Sequence, residues 1–421
     1  MKQKALCNWI GVFLIALLIS GCSNQDILNE VPNDFGIEYL QSEESENEEI
    51  VQISEEPAGS TEVSAPSDND GINYLLPSVN YEYARQFLSE AEQIWYCDIK
   101  DALASMTETV KLNERGLELG LDDSYIDRVF QCVLSDHPEL FYVDGYHYTY
   151  YTQNDQLVSI EFMGSYTIEE ATARERAGEI ENAVQEILAG VSPDMDEYEK
   201  VKYVYETIIL NTDYDLNSAE NQNMYSVLVN HASVCQGYAK ATQYLLSRMG
   251  MECTFVTGSV INGENHSWNV VKIDGESYYL DTTWGDPSYQ SEGDSDSGAY
   301  RPSINYDYLN ITTEELLRTH RINSHVPMPE CVATDANYFR REGCFIQDYD
   351  LGQIQEMYRK VQQEGNKGLS VKCSDEECYN TLFSNLINNQ DIFTVIGMSD
   401  GSVAYSTNDS QLTLTFWMTS S

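Results

Sequence analysis

The run Asn265-His266-Ser267-Trp268-Asn269-Val270-Val271-Lys272-Ile273 alternates like a strand, and Glu276-Ser277-Tyr278-Tyr279-Leu280-Asp281-Thr282-Thr283-Trp284 reads as its return. Between them stands Asp274-Gly275, the strongest short signal for a two-residue hairpin turn, because both turn positions want positive φ. This constrains the fold more than any other feature, since the turn sets the register of every pair beyond it. With Ile273 facing Glu276, Trp268 falls opposite Asp281 and His266 opposite Thr283. His266 and Asp281 then share one face of the ribbon on a diagonal, within reach of an imidazole and a carboxylate. A one-residue change in turn length would put them on opposite faces.

An imidazole steadied by a carboxylate is two thirds of an acyl-transfer site, and the missing part is a nucleophile. Cys235, in Ala232-Ser233-Val234-Cys235-Gln236-Gly237-Tyr238-Ala239, sits just ahead of a helix expected over residues 236–249. The N–H groups at a helix start favour a thiolate. A buried filler cysteine is the alternative at that position. The sequence holds six histidines, at 137, 147, 231, 266, 320 and 325, and only His266 comes with a carboxylate set by register. Cys235 would attack a carbonyl, His266 would move the proton, and Asp281 would fix the imidazole's tautomer and orientation.

Cys235-Gln236-Gly237-Tyr238-Ala239, then His266-Ser267-Trp268-Asn269, then Tyr279-Leu280-Asp281-Thr282-Thr283-Trp284, resembles the bacterial transglutaminase-like superfamily of Cys-His-Asp enzymes. The resemblance runs over residues 194 to 290. It implies an α+β fold with a transglutaminase-like, papain-like core: a nucleophile at a helix N-terminus packed on an antiparallel sheet, flanked by further α/β regions. It also implies that Cys235 is the nucleophile, His266 the base and Asp281 the orienting carboxylate; no cofactor and no metal are expected. The family completes its oxyanion hole with a donor upstream of the nucleophile, for which Tyr225 and His231 both stand as candidates. The acidic loop 291–298 lacks the regular ligand spacing of a calcium site and reads as a surface insertion.

The N-terminus reads as a targeting signal. Lys2 and Lys4 precede an uncharged run from Trp9 to Ile19, which ends in Ile19-Ser20-Gly21-Cys22. This resembles the bacterial lipobox and implies cleavage after residue 21, lipidation of Cys22 and anchoring to the outer face of the cell membrane. From Cys22 to Arg85 there is no Lys or Arg, and residues 41–70 carry ten acidic side chains. Like charge and low hydrophobicity predict a solvated tether over 22–72. The remaining body divides into a helical and α+β region at 73–193, a catalytic core at 194–330 and a small α+β unit at 331–421.

Charge narrows the partners. With 69 Asp+Glu against 23 Lys+Arg, the chain has a net charge of −46. It repels nucleic acid and is expected to be a monomer that meets the membrane only through its anchor. Of ten cysteines, Cys7 leaves with the signal and Cys22 is lipidated. Cys331 with Cys344 or Cys373 with Cys378 could pair, and most of the remaining eight read as buried small hydrophobes. No C-x-x-C occurs, which argues against zinc. The expected function is thiol acyl transfer on peptide or protein amides, as a protease, deamidase or transglutaminase acting on protein or cell-wall peptide. A non-catalytic surface scaffold on the same fold is the alternative. Arylamine N-acetyltransferases use the same triad but need acyl-CoA, whose phosphates this acidic chain would repel.

Overall fold

A computed structural model describes residues 10–13, 74–154, 156–287, 303–397 and 403–418. The expected lipidation site at Cys22, the tether and the acidic loop lie outside them. Of the expected signal only the backbone of Ile10–Phe13 is described, as a strand antiparallel to Tyr148–Tyr151.

The helices start where their caps dictate. Ser89 and Glu92 form a capping box ahead of Glu90–Ala104, and Asp196 and Glu199 do the same for Glu197–Asn211; each box satisfies two otherwise orphaned N–H groups. Between these helices, strands Val143–Gln153 and Gln156–Tyr166 form a hairpin closed at Gln153↔Gln156, with Asn154 at φ 53°. Helix Glu170–Ala189 follows and ends at Gly190.

The central sheet has five strands in the order Leu309–Ile311, Glu276–Leu280, Asn265–Ile273, Cys253–Val260, His320–Ile322, all antiparallel. One side holds an apolar core of Val256, Trp268, Val270, Tyr279, Tyr308, Ile311 and Leu316. Helix Cys235–Arg248 packs against this sheet and is buried on every side from Cys235 to Leu246, as befits a helix enclosed within a domain. It stops at Met249, with Gly250 at φ +79°. The fold is therefore α+β with a papain-like core.

A third sheet, Phe345–Ile346, Gly368–Cys373, Thr413–Met418 and Val403–Asn408 in that order, has its own core around Val371, Leu382, Leu414 and Phe416. Two expectations for this region fail. The apolar run Phe393–Met398 reads in sequence as a short strand, but its described part belongs to helix Asp391–Ile396 and the cap at Gly397. A short apolar run does not distinguish helix from strand by periodicity, and Gly397 at φ 77° caps it as a helix. None of the eight described cysteines is in a disulfide and all but Cys97 are buried, so neither candidate disulfide is formed.

Candidate active site

The hairpin has the register its turn dictates: Ile273↔Glu276, Lys272↔Ser277, Val271↔Tyr278, Val270↔Tyr279 and Asn269↔Leu280. Asp274 and Gly275 have φ of 51° and 87°, the left-handed pair of a two-residue turn. The returning strand is shorter than expected. It ends at Leu280 rather than Trp284, because Asp281 turns the chain: its Oδ1 accepts from the N–H groups of Thr283 at 2.9 Å and Trp284 at 3.1 Å. Asp281 thus caps a turn with one oxygen and leaves the other for the site.

That second oxygen meets His266. Asp281 Oδ2 lies 2.7 Å from His266 Nε2, with both side chains buried. A carboxylate only accepts, so Nε2 carries the proton and Nδ1 is the imidazole's remaining basic nitrogen. Burial alone would raise the Asp281 pKa, yet the charges and hydrogen bonds of His266 and His320 hold it well below the usual carboxylate range. The group is an anion at neutral pH.

Cys235 is the first residue of its helix. Val234 precedes it in extended backbone, φ −122° and ψ 178°, and supplies no side-chain cap. Most helices place Ser, Thr, Asp or Asn there to satisfy the first N–H groups. An apolar cap leaves the positive end of the helix to an anion at Cys235. Gly237 is required by crowding: a Cβ there would sit 2.0 Å from Ser233 Oγ and 2.9 Å from the Asn223 carbonyl. Three bonds fix this helix to the hairpin and to the turn that follows it. Asn269 Nδ2 donates to the Ala239 carbonyl at 3.0 Å, Thr242 Oγ1 lies 3.2 Å from Thr282 Oγ1, and the Tyr238 hydroxyl donates to Asp286 at 2.8 Å. Cys235 is 0% exposed, His266 5% and Asp281 2%, so all three side chains are closed off from solvent.

Neither upstream donor candidate is free for an oxyanion. The Tyr225 hydroxyl donates to Glu179 at 2.7 Å. His231 is exposed at φ 56°, where its carbonyl accepts from Asp213; it shapes the loop. Two other donors are buried without an acceptor among the described residues, Gln236 Nε2 and Trp268 Nε1. Adjacency to Cys235 and to His266 was the only sequence signal for them.

The reading of the sequence also passed over His320. Its Nε2 lies 3.2 Å from the same Asp281 Oδ2, and it is completely buried. One ligand atom from each of His266, Asp281 and His320 lies within 4.8 Å of the others. Such a group can hold a cation, but here both imidazoles already satisfy the shared oxygen.

Residues 182–282 match the Transglutaminase-like superfamily, and the chain carries a transglutaminase-like domain there. The matched segment contains Cys235, His266 and Asp281 and ends before His320. Kyphoscoliosis peptidase of Homo sapiens is 25% identical in an alignment 122 residues long that covers 25% of this chain and 18% of that protein. The chain thus spans less than a fifth of the length of that curated relative. Among solved structures, a proposed cysteine protease of Cytophaga hutchinsonii is similar over 32% of this chain and 55% of its own, at 13% identity and a TM-score of 0.22. The periplasmic domain of TgpA from Pseudomonas aeruginosa is similar over 34% of this chain and 73% of its own, at 12% identity and a TM-score of 0.20.

Proposed function

We propose that this protein is a thiol enzyme that transfers acyl groups from peptide or protein amides through Cys235, His266 and Asp281. The observation that carries the reading is the buried 2.7 Å contact between His266 Nε2 and Asp281 Oδ2, on the sheet that the Cys235 helix packs against. With Nε2–H held by the carboxylate, His266 Nδ1 takes the thiol proton. The thiolate adds to the amide carbon, and the negative oxygen is met by N–H groups at the helix start and by Gln236 or Trp268. His266 returns its proton to the leaving amine, which departs and leaves a thioester on Cys235. Water as acceptor gives a protease or deamidase, and an amine gives a transglutaminase. The candidate substrates are protein or cell-wall peptide on the outer face of the cell membrane, with the chain anchored through Cys22.

The closed state of Cys235 favours a second reading, a surface protein that uses the fold only to bind. Substitution separates the two. Cys235→Ala is expected to abolish capture of an acyl group as a thioester on whole cells, while Cys253→Ala keeps it. Cys253 is the apt control, because burial pushes its thiol well above the ordinary range. Capture that survives Cys235→Ala would end the Cys235 reading, and no capture by the wild type would leave the binding protein.

A further inference from the structure

His320 lies about forty residues beyond Asp281 in sequence and enters the site from the opposite edge of the sheet. Its strand, His320–Ile322, pairs with Cys253–Val260 through His320↔Val260 and Ile322↔Gly258. The close approach depends on Gly258, where a Cβ would meet the Arg321 carbonyl at 2.1 Å and Trp268 at 2.6 Å. The imidazole is packed between Trp284, Trp268 and Tyr308, with ring centroids 4.7, 5.0 and 5.6 Å away.

We propose that His320 is a positioning residue for the candidate triad: its Nε2–H shares Asp281 Oδ2 with His266 and holds the carboxylate in the orientation that keeps the His266 proton on Nε2. The assignment rests on the reading of Cys235, His266 and Asp281 as one catalytic unit. Hydrogen-bond direction supports it. Asp281 accepts only, so both imidazoles must present N–H to Oδ2. His320 Nδ1 is then the acceptor of the Thr319 hydroxyl, 2.8 Å away. The Tyr308 hydroxyl in turn lies 3.4 Å from Thr319 Oγ1. With the Thr319 proton on His320 Nδ1 rather than on the Leu316 carbonyl 3.4 Å away, the donors run one way, from Tyr308 through Thr319 and His320 to Asp281, and meet His266 arriving from the other side.

Charge supports it as well. Two imidazolium ions on one oxygen would repel each other inside a dry site. The titratable groups facing His320 are Asp281, His266 and Tyr308. Burial first, and then His266, work against a charge on His320 more than Asp281 favours one, so its pKa lies below the ordinary imidazole value. His320 stays neutral, and the proton gained in the reaction resides on His266. A carboxylate with both oxygens held, Oδ1 by two backbone N–H groups and Oδ2 by two imidazoles, has no freedom to rotate away from its work.

The test is the rate of iodoacetamide alkylation at Cys235 in the full chain, followed by mass spectrometry against pH, for wild type, H320L, H320Q and T319V. Gln places an N–H close to where His Nε2 stands; Leu fills the aromatic cage and donates nothing. H320L is expected to slow alkylation at neutral pH by about 10-fold or more, since misplacing a catalytic group by 1 Å costs about 10²-fold. It is also expected to displace the limb of the alkylation rate against pH. H320Q should restore both rate and limb, and T319V, which leaves the ring in place, should displace the limb in the same direction. T319V carries the test alone if H320L fails to fold, as thermal melting would reveal. An unmoved limb in H320L and T319V, or a Gln variant that behaves like Leu, overturns the assignment. A wild-type Cys235 that reacts no faster than the other thiols overturns the triad itself, a different and earlier failure.

Discussion

Asp281 shows how one side chain serves fold and site together. One oxygen ends a strand by capping a turn and the other fixes an imidazole. Because its pKa is depressed in the folded protein, Asp281 contributes stability that is fully present above the ordinary carboxylate value of 3.8. That contribution is lost as pH falls below it. Asp281→Asn keeps the shape but presents an amide where an acceptor is needed. It is expected to fold, to lose this acid dependence in its melting temperature, and to lower turnover by about 10³–10⁴-fold. Turnover within threefold of wild type would remove Asp281 from the unit. The diagonal between His266 and Asp281 was legible because a two-residue turn converts spacing along the chain into position on a face. His320 was not, because its neighbour in the sheet, Val260, is sixty residues upstream and no local pattern links them.

At the scale of elements, the strands and helices that carry the site were the most legible. Asn265–Ile273 has the bounds that alternation and turn chemistry give. The end at Leu280 was missed because a side-chain cap competes with the ladder, and alternation carries no trace of that competition. Helix Asp391–Ile396 was missed because six residues hold too little periodicity to decide. The Cys235 helix depends on a different kind of detail, the space around Gly237. Gly237→Ala must push aside Ser233 and the Asn223 carbonyl. The expected cost is about 1–3 kcal/mol in denaturant unfolding, the usual penalty of overpacking, with slower alkylation of Cys235 as its helix start shifts. Unchanged stability would show that the loop 221–233 yields where the packing says it cannot.

At the scale of the molecule, residues 74–88 are pinned by a buried polar cluster. Asp136 accepts from the backbone N–H groups of Ala84 and Arg85 at 2.8 and 3.0 Å. His137, from the Asp136-His137-Pro138-Glu139 motif, bonds Glu139 through Nδ1 at 2.9 Å and the Tyr96 hydroxyl through Nε2 at 2.9 Å. Burial opposes a charge on His137, but Glu139 and then Glu82 outweigh it and push its pKa up to about 9. A raised imidazole pKa means stability that is complete below about 6.5 and is lost as pH rises through about 9. Melting temperature is therefore expected to fall across that window in wild type, and His137→Leu to flatten the slope while lowering stability at neutral pH. A slope that survives His137→Leu would place the titrating group elsewhere.

The central claim is that helix, imidazole and carboxylate together activate one thiol among the eight described. Exposure alone makes the opposite forecast, since Cys97 is the half-buried one and Cys235 is closed off. Burial raises the Cys97 thiol pKa despite Arg85 beside it, so it gains no advantage from its setting. The decisive measurement is the order in which the thiols of the native protein take up iodoacetamide at pH 7, read by peptide mass spectrometry. The account predicts Cys235 first, and loss of that lead in His266→Ala. Cys97 labelled first, with Cys235 no faster than Cys253, would contradict it.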